Sequence, residues 1–325
     1  MKYAVETEHL TKEYRSIDMF SRNWGTNAGK KRKAFIALRD VTIHVPRGEI
    51  YGFIGRNGAG KTTLIRVLTG LQQATEGTVR LFGVDSRDKE ILRERRRIGA
   101  IVEAPALYPD LSAEENLLLQ QKQLGLSDTM KTRTLLERVG LENVGTRPVR
   151  TWSLGMKQRL GIAMALAGSP DLLILDEPLN GLDPQGIIEL RELILNLKEQ
   201  EGITFFVSSH YLDELSRIAT WYGFIDHGRI VREMSAKDLS KQEKRKTSLI
   251  VSDPRAFSRL MEQKKIAYNI GEGGSVEMFA QLPVTDLVND LQSAGCRVEH
   301  MTQSEESLES FFVSLVGGED HEPSK

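Results

Sequence analysis

Four nearly continuous apolar runs, Ile50 to Ile54, Ile98 to Val102, Leu172 to Leu175 and Ile203 to Val207, punctuate the first 235 residues. Each is followed by a polar or glycine-rich turn and then by helical periodicity. Runs of this length without alternation suit strands buried on both faces, and their rhythm with helices predicts an α/β core with a largely parallel sheet. Ligands on such sheets gather at the C-terminal ends of the strands. Two segments, Ala34 to Val45 and Gly77 to Phe82, instead alternate apolar and polar residues, predicting a half-exposed antiparallel sheet beside the core.

From Ala104 to Gly168 the strand signal stops and three helical patterns follow, the first opening with Ser112 and Glu115 at capping-box spacing. This predicts a helical subdomain at about 104–168 inserted into the core. A charged stretch at Lys241 to Lys246 reads as part of a solvated linker, 236–247, after a first domain of residues 1–235. Beyond it, Ser248 to Val251, Pro254 to Lys264, Val276 to Ala280, Thr285 to Ala294 and Arg297 to His300 give a β-α-β-α-β order before a last helix at Glu305 to Val316. A small α+β domain at 248–317 with a disordered tail at 318–325 is therefore expected. The polar stretch from Arg15 to Ala34, ending in Lys30, Lys31, Arg32 and Lys33, reads as a long solvated surface loop.

Charge narrows the function classes. With 44 Lys+Arg against 45 Asp+Glu in 325 residues, bulk charge does not equip this chain to grip nucleic acid. The one cysteine, Cys296, cannot form an internal disulfide and reads as a small buried thiol in a reducing compartment. The first residues carry charges at Lys2, Glu6, Glu8, Lys12 and Glu13, unlike a signal peptide, and no apolar run approaches the roughly 18 residues that cross a bilayer. A cytoplasmic location is expected, with another chain doing the spanning in any membrane process.

Gly55-Arg56-Asn57-Gly58-Ala59-Gly60-Lys61-Thr62 fits the phosphate-loop pattern GxxxxGK followed by Ser or Thr, directly after a predicted strand and before the helical Thr63 to Leu71. Backbone N–H groups in such a loop converge on a β-phosphate, Lys61 reaches the β- and γ-oxygens, and the Thr62 hydroxyl suits Mg²⁺. Leu172 to Leu175 ends in Asp176 and Glu177. Asp176 is the candidate metal carboxylate, and Glu177 can accept a proton from an attacking water.

Thr151-Trp152-Ser153-Leu154-Gly155-Met156-Lys157-Gln158-Arg159 resembles the signature of ATP-binding-cassette proteins. In that family LSGGQ opens a helix that holds the γ-phosphate of ATP bound to the opposite subunit. Ser153 and Gly155 are kept here, and Leu154 and Met156 replace the first glycine and the glutamine. Asn180-Gly181-Leu182-Asp183 is similar to the family's loop that touches the partner subunit, and Ser208-Ser209-His210 places His210 where a histidine contacts the γ-phosphate. Tyr14 resembles the aromatic that stacks on adenine, and Glu103 stands where most cassettes have a metal-side glutamine. The resemblance covers residues 3 to 235. It implies a P-loop NTPase nucleotide-binding domain with a RecA-like core, an antiparallel β subdomain and the helical insertion. Nucleotide contacts are implied for Tyr14, Gly55 through Thr63 and, in trans, Ser153 and Gly155. The same resemblance implies Mg²⁺ on Thr62, Glu103 and Asp176, directly or through water, and catalysis by Glu177 and His210.

Glu103-Ala104-Pro105, the run from Ser153 to Ala163 and the ending from Ser304 to Gly318 narrow the likeness to ATP-binding subunits of bacitracin-resistance exporters and lantibiotic-immunity transporters. That implies an ATPase dimerising around two ATP molecules, attached to the inner face of the membrane by a separate permease. Pro105, Ala106, Leu107 and Tyr108 place apolar groups just after the metal-side strand and are expected to receive a cytoplasmic helix of the permease, internal packing being the alternative. Translation-associated and regulatory cassette proteins are the competing class. The former carry two cassettes, against one GxxxxGKT and one SxG signature here, and chromosome-structure heads need a long coiled coil for which Gln72 to Arg150 is too short.

Overall fold

The computed structural model describes residues 2–15, 34–126, 130–242, 246–278, 282–304 and 308–317. Of the basic loop expected from Arg15 to Ala34, residues 16–33 lie outside the described residues, as does the tail expected at 318–325. The chain divides into two units after Ala236.

The first unit holds two sheets. Strands β1 (Tyr3–Arg15), β2 (Ala34–Pro46), β4 (Glu76–Leu81) and β5 (Val84–Asp85) form an antiparallel sheet in the order β2-β1-β4-β5. Its alternation is visible in β2, where Val41, Ile43 and Val45 are buried between exposed or half-buried neighbours. The second sheet uses β3 (Ile50–Ile54), β6 (Ile98–Ile101), β7 (Leu172–Asp176), β8 (Thr204–Ser209), β9 (Trp221–Asp226) and β10 (Arg229–Ser235), in the order β10-β9-β3-β8-β7-β6. All its pairings are parallel except the β9–β10 hairpin. Every residue of β3, β7 and β8 is buried, which explains their uninterrupted apolar sequences. Phe206 packs its ring 5.2 Å from Phe53 and 5.5 Å from Tyr51 across the β3–β8 pair. Glu233 of β10 joins the two sheets, accepting from the His44 backbone N–H at 2.7 Å and the Tyr51 hydroxyl at 2.8 Å. Burial and that carboxylate push the Tyr51 phenol well above its ordinary value.

Between the strands run α1 (Lys61–Leu68), α2 (Ile91–Arg95), α3 (Ala113–Gln123), α4 (Met130–Arg138), α5 (Leu154–Leu166), α6 (Pro184–Glu201) and α7 (Leu212–Ser216). Helices α3, α4 and α5 pack on one another as the inserted helical layer. The capping box at the head of α3 is present. Ser112 Oγ accepts from the Glu115 backbone N–H, and the Ser112 backbone N–H donates to Glu115 at 2.7 Å, holding that carboxyl below its ordinary value. Helix α5 lies so close to β6 that only glycine fits at the contact. A Cβ on Gly99 would stand 2.3 Å from the Ala165 carbonyl oxygen, and one on Gly161 would stand 2.6 Å from Pro105 Cβ.

The second unit contains all but the first residue of α8 (Ala236–Gln242), then β11 (Lys246–Val251), α9 (Pro254–Lys264), β12 (Tyr268–Ile270), β13 (Ser275–Met278), α10 (Val284–Ser293), β14 (Val298–Ser304) and α11 (Leu308–Gly317). Two expectations change here. The segment read as linker is helical to Gln242 and extended from Lys246, with 243–245 outside the described residues. The β-α-β-α-β order gains the three-residue strand β12, too short to show periodicity, so that β11 to β14 form an antiparallel sheet in the order β12-β13-β11-β14. With α9 and α10 this is the split βαβ topology. Its core contains Leu249, Val251, Phe257, Met261, Val276, Leu287, Leu291 and Cys296, the thiol being fully buried. Asp253 caps α9, accepting from Arg255 and Ala256 backbone N–H groups.

Because backbone carbonyl and Cβ cannot share 2.3 Å, Gly99→Ala must push α5 off β6. The expected loss is about 1–3 kcal/mol of stability, read as a lowered urea midpoint at unchanged slope.

Candidate functional site

Strand order assembles the site. The phosphate loop follows β3, the carboxylates end β7, and β8 lies between them. Register pairs Ile54 with Ser209 on one side of β8 and Asp176 with Ser208 on the other. Lys61, His210 and Glu177, up to 149 positions apart along the chain (210 − 61), therefore meet at one edge of the sheet.

The loop from Gly55 to Thr62 turns on Gly58 at φ 81° and Gly60 at φ 111°, conformations that side chains rarely adopt. A Cβ on Gly60 would also stand 2.7 Å from the Ala37 carbonyl oxygen, while one on Gly58 would meet nothing within 4 Å, leaving backbone approach open on that side. Lys61 opens α1 and is buried. Its Nζ donates to the carbonyls of Gly55 at 2.6 Å and Arg56 at 3.2 Å and lies 3.1 Å from Glu177 Oε1. The last contact is within ion-pair range but off hydrogen-bond alignment, so Glu177 Oε1 is a buried oxygen without a directed donor. Arg56, Asn57, Ala59, Thr62 and Thr63 occupy the loop and the first turn of α1.

Asp176 and Glu177 are tied together by a residue that sequence reasoning did not place in the site. Ser208 donates its hydroxyl to Asp176 Oδ1 at 2.6 Å and accepts the Glu177 backbone N–H at 2.9 Å. Its only sequence signal is its place at the end of β8, opposite Asp176. Glu177 has φ 49°, a left-handed bend that turns its carboxylate away from the strand direction. Glu177 Oε2 lies 2.8 Å from His210 Nδ1 and accepts the His210 backbone N–H at 3.3 Å. The result is one carboxylate between a lysine and a histidine, half-shielded from solvent.

Other candidates sit elsewhere. Tyr14 donates its hydroxyl to Gln72 and carries Lys12 Nζ over its ring at 5.3 Å. Glu103, at φ 67° just past β6, places its exposed carboxylate on Arg66 Nη2 of α1 at 2.5 Å. Arg66 was not picked out from the sequence, since an arginine on a helix carries no signal of its partner. Ser153 caps α5, its hydroxyl accepting from the Met156 backbone N–H. The exposed Leu154 packs toward Gly181, and Leu182 lies nearest Gly155. Among the described residues no hydrogen bond or ion pair joins Ser153 or Gly155 to the phosphate loop of the same chain.

A phosphate loop with a carboxylate pair on the next strand but one and a capped signature helix define a P-loop nucleoside-triphosphatase cassette. Residues 38–180 match the family model described as ABC transporter. The bacitracin transport ATP-binding protein BcrA of Bacillus licheniformis is 44% identical over 86% of this chain and 92% of its own length. The lantibiotic transport ATP-binding protein SrtF of Streptococcus pyogenes is 49% identical over 60% of this chain and 83% of its own. Among solved structures, the cassette MJ0796 in a dimeric post-hydrolysis state bound to ADP and Pi superposes with a TM-score of 0.60 at 25% identity, covering 71% of this chain and 98% of that one. The chain belongs to the ABC transporter family and is an ATPase of the ATP-binding-subunit type. The competing translation-associated or regulatory class gains no support from these relatives.

Glu177→Gln removes the counter-charge beside Lys61 and tests Glu177 as the proton acceptor. The variant is expected to bind ATP at least as tightly as the parent while hydrolysing it about 10²- to 10⁴-fold more slowly. ATP affinity, single-turnover hydrolysis and the mass on size-exclusion chromatography in ATP measure this, the held nucleotide giving a species of twice the monomer mass. Turnover at the parental rate would remove Glu177 from the role of base.

Proposed function

We propose that the chain powers export of, or immunity to, a peptide antibiotic of the bacitracin or lantibiotic type, working as an ATP-driven homodimer on a separate permease at the inner face of the membrane. The observation that carries the cargo class is the 44% identity to a bacitracin transport subunit across nearly the whole of both chains, reaching past residue 236. Among the described residues no helix is long and apolar enough to cross a membrane.

The residues present suit Mg²⁺. They offer the Thr62 hydroxyl and the buried Asp176 carboxylate, and among the described residues no cluster of three or more His, Cys, Asp or Glu forms an all-protein cage. An ion with one or two protein oxygens and the rest from phosphate and water is the usual arrangement for magnesium. When bound it would neutralise charge on the triphosphate oxygens. Lys61 exchanges its Gly55 and Arg56 carbonyls for phosphate oxygens, Glu177 accepts the proton of the attacking water, and His210 both orients Glu177 and faces the γ-phosphate. Ser153 and the backbone N–H of Gly155, at the N-terminus of α5, hold the γ-phosphate of the partner's ATP, because a helix N-terminus with a hydroxyl cap suits an anion. Tyr14 serves the adenine.

Glu103 takes the metal-side position by leaving Arg66. A carboxylate and an amide have the same reach, and the extra charge favours metal while disfavouring the γ-phosphate. Glu103→Gln is therefore expected to change hydrolysis by less than about tenfold, and Glu103→Ala by more, in steady-state assays across a magnesium titration.

Coupling to the permease falls to the segment from Pro105 to Tyr108. The buried Asn116 grips the backbone there, accepting from the Tyr108 N–H at 2.8 Å and donating to the Tyr108 carbonyl at 3.1 Å, while the Tyr108 ring remains 49% exposed. Its backbone is held and its apolar ring is presented. Tyr108→Asp is expected to abolish permease stimulation of hydrolysis and to leave basal ATP binding intact, as read in proteoliposomes and in detergent-free solution. Loss of folding in the variant would place the ring in the internal packing instead.

A further inference from the structure

Tyr14 is gripped by side chains that belong to neither the phosphate loop nor the carboxylate pair. Its hydroxyl donates to Oε1 of the half-buried Gln72, and Lys12 carries its Nζ over the ring, 5.3 Å from the centroid. The same ammonium donates to the Gln73 carbonyl at 2.8 Å. Further bonds lace this segment to β1. The Thr75 N–H donates to the Thr11 carbonyl at 2.8 Å, and Thr75 Oγ1 accepts the Glu13 N–H at 2.9 Å. On its other side the segment is tied to α1, the Gln72 N–H donating to the Arg66 carbonyl at 2.9 Å. Gln72 therefore stands between Tyr14 of β1 and the last turn of the helix that opens with Lys61.

A tyrosine ring at the end of a strand turns about two side-chain torsions, and a base that stacks on it must first arrest both. The hydroxyl bond fixes the tip of the ring. The ammonium over one face opposes rotation about the axis through that tip and leaves the other face to a base. Both freedoms are settled before a nucleotide arrives, so their ordering cost is removed from binding. Resting on the reading of Tyr14 as the residue that serves the adenine, we infer that Gln72 is a positioning residue for the nucleobase. It acts through Tyr14 and adds to the affinity for a nucleotide without adding to the affinity for its phosphates. Helix α1, eight residues and so about 12 Å long, separates Gln72 from Lys61 and the phosphate loop. Loss of the Gln72 side chain is therefore felt at the base and not at the triphosphate.

The test uses the full chain and measures calorimetric binding of two probes at saturating magnesium: ATP, which brings a base, and inorganic triphosphate, which brings phosphates alone. Tyr14→Ala is expected to weaken ATP about tenfold or more and to bind triphosphate like the parent. Gln72→Leu and Tyr14→Phe each delete one end of the hydrogen bond and keep the ring. Each is expected to weaken ATP about three- to tenfold with triphosphate unchanged. The double variant should lose no more than either single one, because both remove the same bond. Gln72→Glu, which keeps an accepting oxygen at the same reach, should bind ATP close to the parent. Thermal midpoints accompany every titration, and Tyr14→Phe carries the test if Gln72→Leu does not fold. Parental ATP affinity in Gln72→Leu or Tyr14→Phe, equal losses for ATP and triphosphate, or additive losses in the double variant overturn the positioning role. Parental ATP affinity in Tyr14→Ala overturns instead the reading of Tyr14 beneath it.

Discussion

A parallel strand must be inserted between β3 and β7 before this protein has a site. Strand β8 does so, and its parallel register carries three separate stretches of chain to one edge of the sheet. The consequence is electrostatic as well as geometric. Ser208 of β8 bonds to Asp176 and to the backbone of Glu177, and His210, two positions on, bonds to the Glu177 side chain. The carboxylate pair is thus held from the neighbouring strand and not by its own loop. Displacement of β8 would separate Lys61 from Glu177, leaving a buried cation and a half-shielded carboxylate unmatched.

The Lys61–Glu177 contact gives the site a closed form in which its own groups satisfy one another in part. Glu177 Oε1 keeps no directed hydrogen bond, so the arrangement is adequate for a lysine and incomplete for the carboxylate. In the proposed mechanism a triphosphate takes over the lysine and frees that oxygen for water. Glu103 is paired as well, its carboxylate resting on Arg66 of the helix that begins at Lys61. Both Glu103 and Glu177 occupy left-handed backbone at the ends of adjacent strands, where side chains can be redirected without moving the sheet.

Tight packing extends this order outward. Gly99 and Gly161 let α5 rest on β6 and on Pro105, and α5 begins at the capped Ser153. One helix therefore connects the signature to the segment proposed to face the permease. Packed interiors deform little, so the head of α5 and its contact with Pro105 are parts of one stiff element.

Much of this was legible along the chain. Apolar runs predict β3, β6, β7 and β8 because strands buried on both faces leave no polar positions, and the phosphate loop is contiguous because its chemistry is made by consecutive backbone N–H groups. The capping box at Ser112 and Glu115 is equally local. The three-residue β12 and the helix in 236–242 were not legible, the first too short for periodicity and the second too polar to separate from a solvated segment. Ser208, Arg66 and Asn116 belong to the tertiary structure alone. Each acquires its role from a partner 37 or fewer positions away, Ser208 from Asp176, Arg66 from Glu103 and Asn116 from Tyr108, yet no repeat or spacing rule joins those pairs. Side chains declare their type in sequence, and only folding decides which of them face each other.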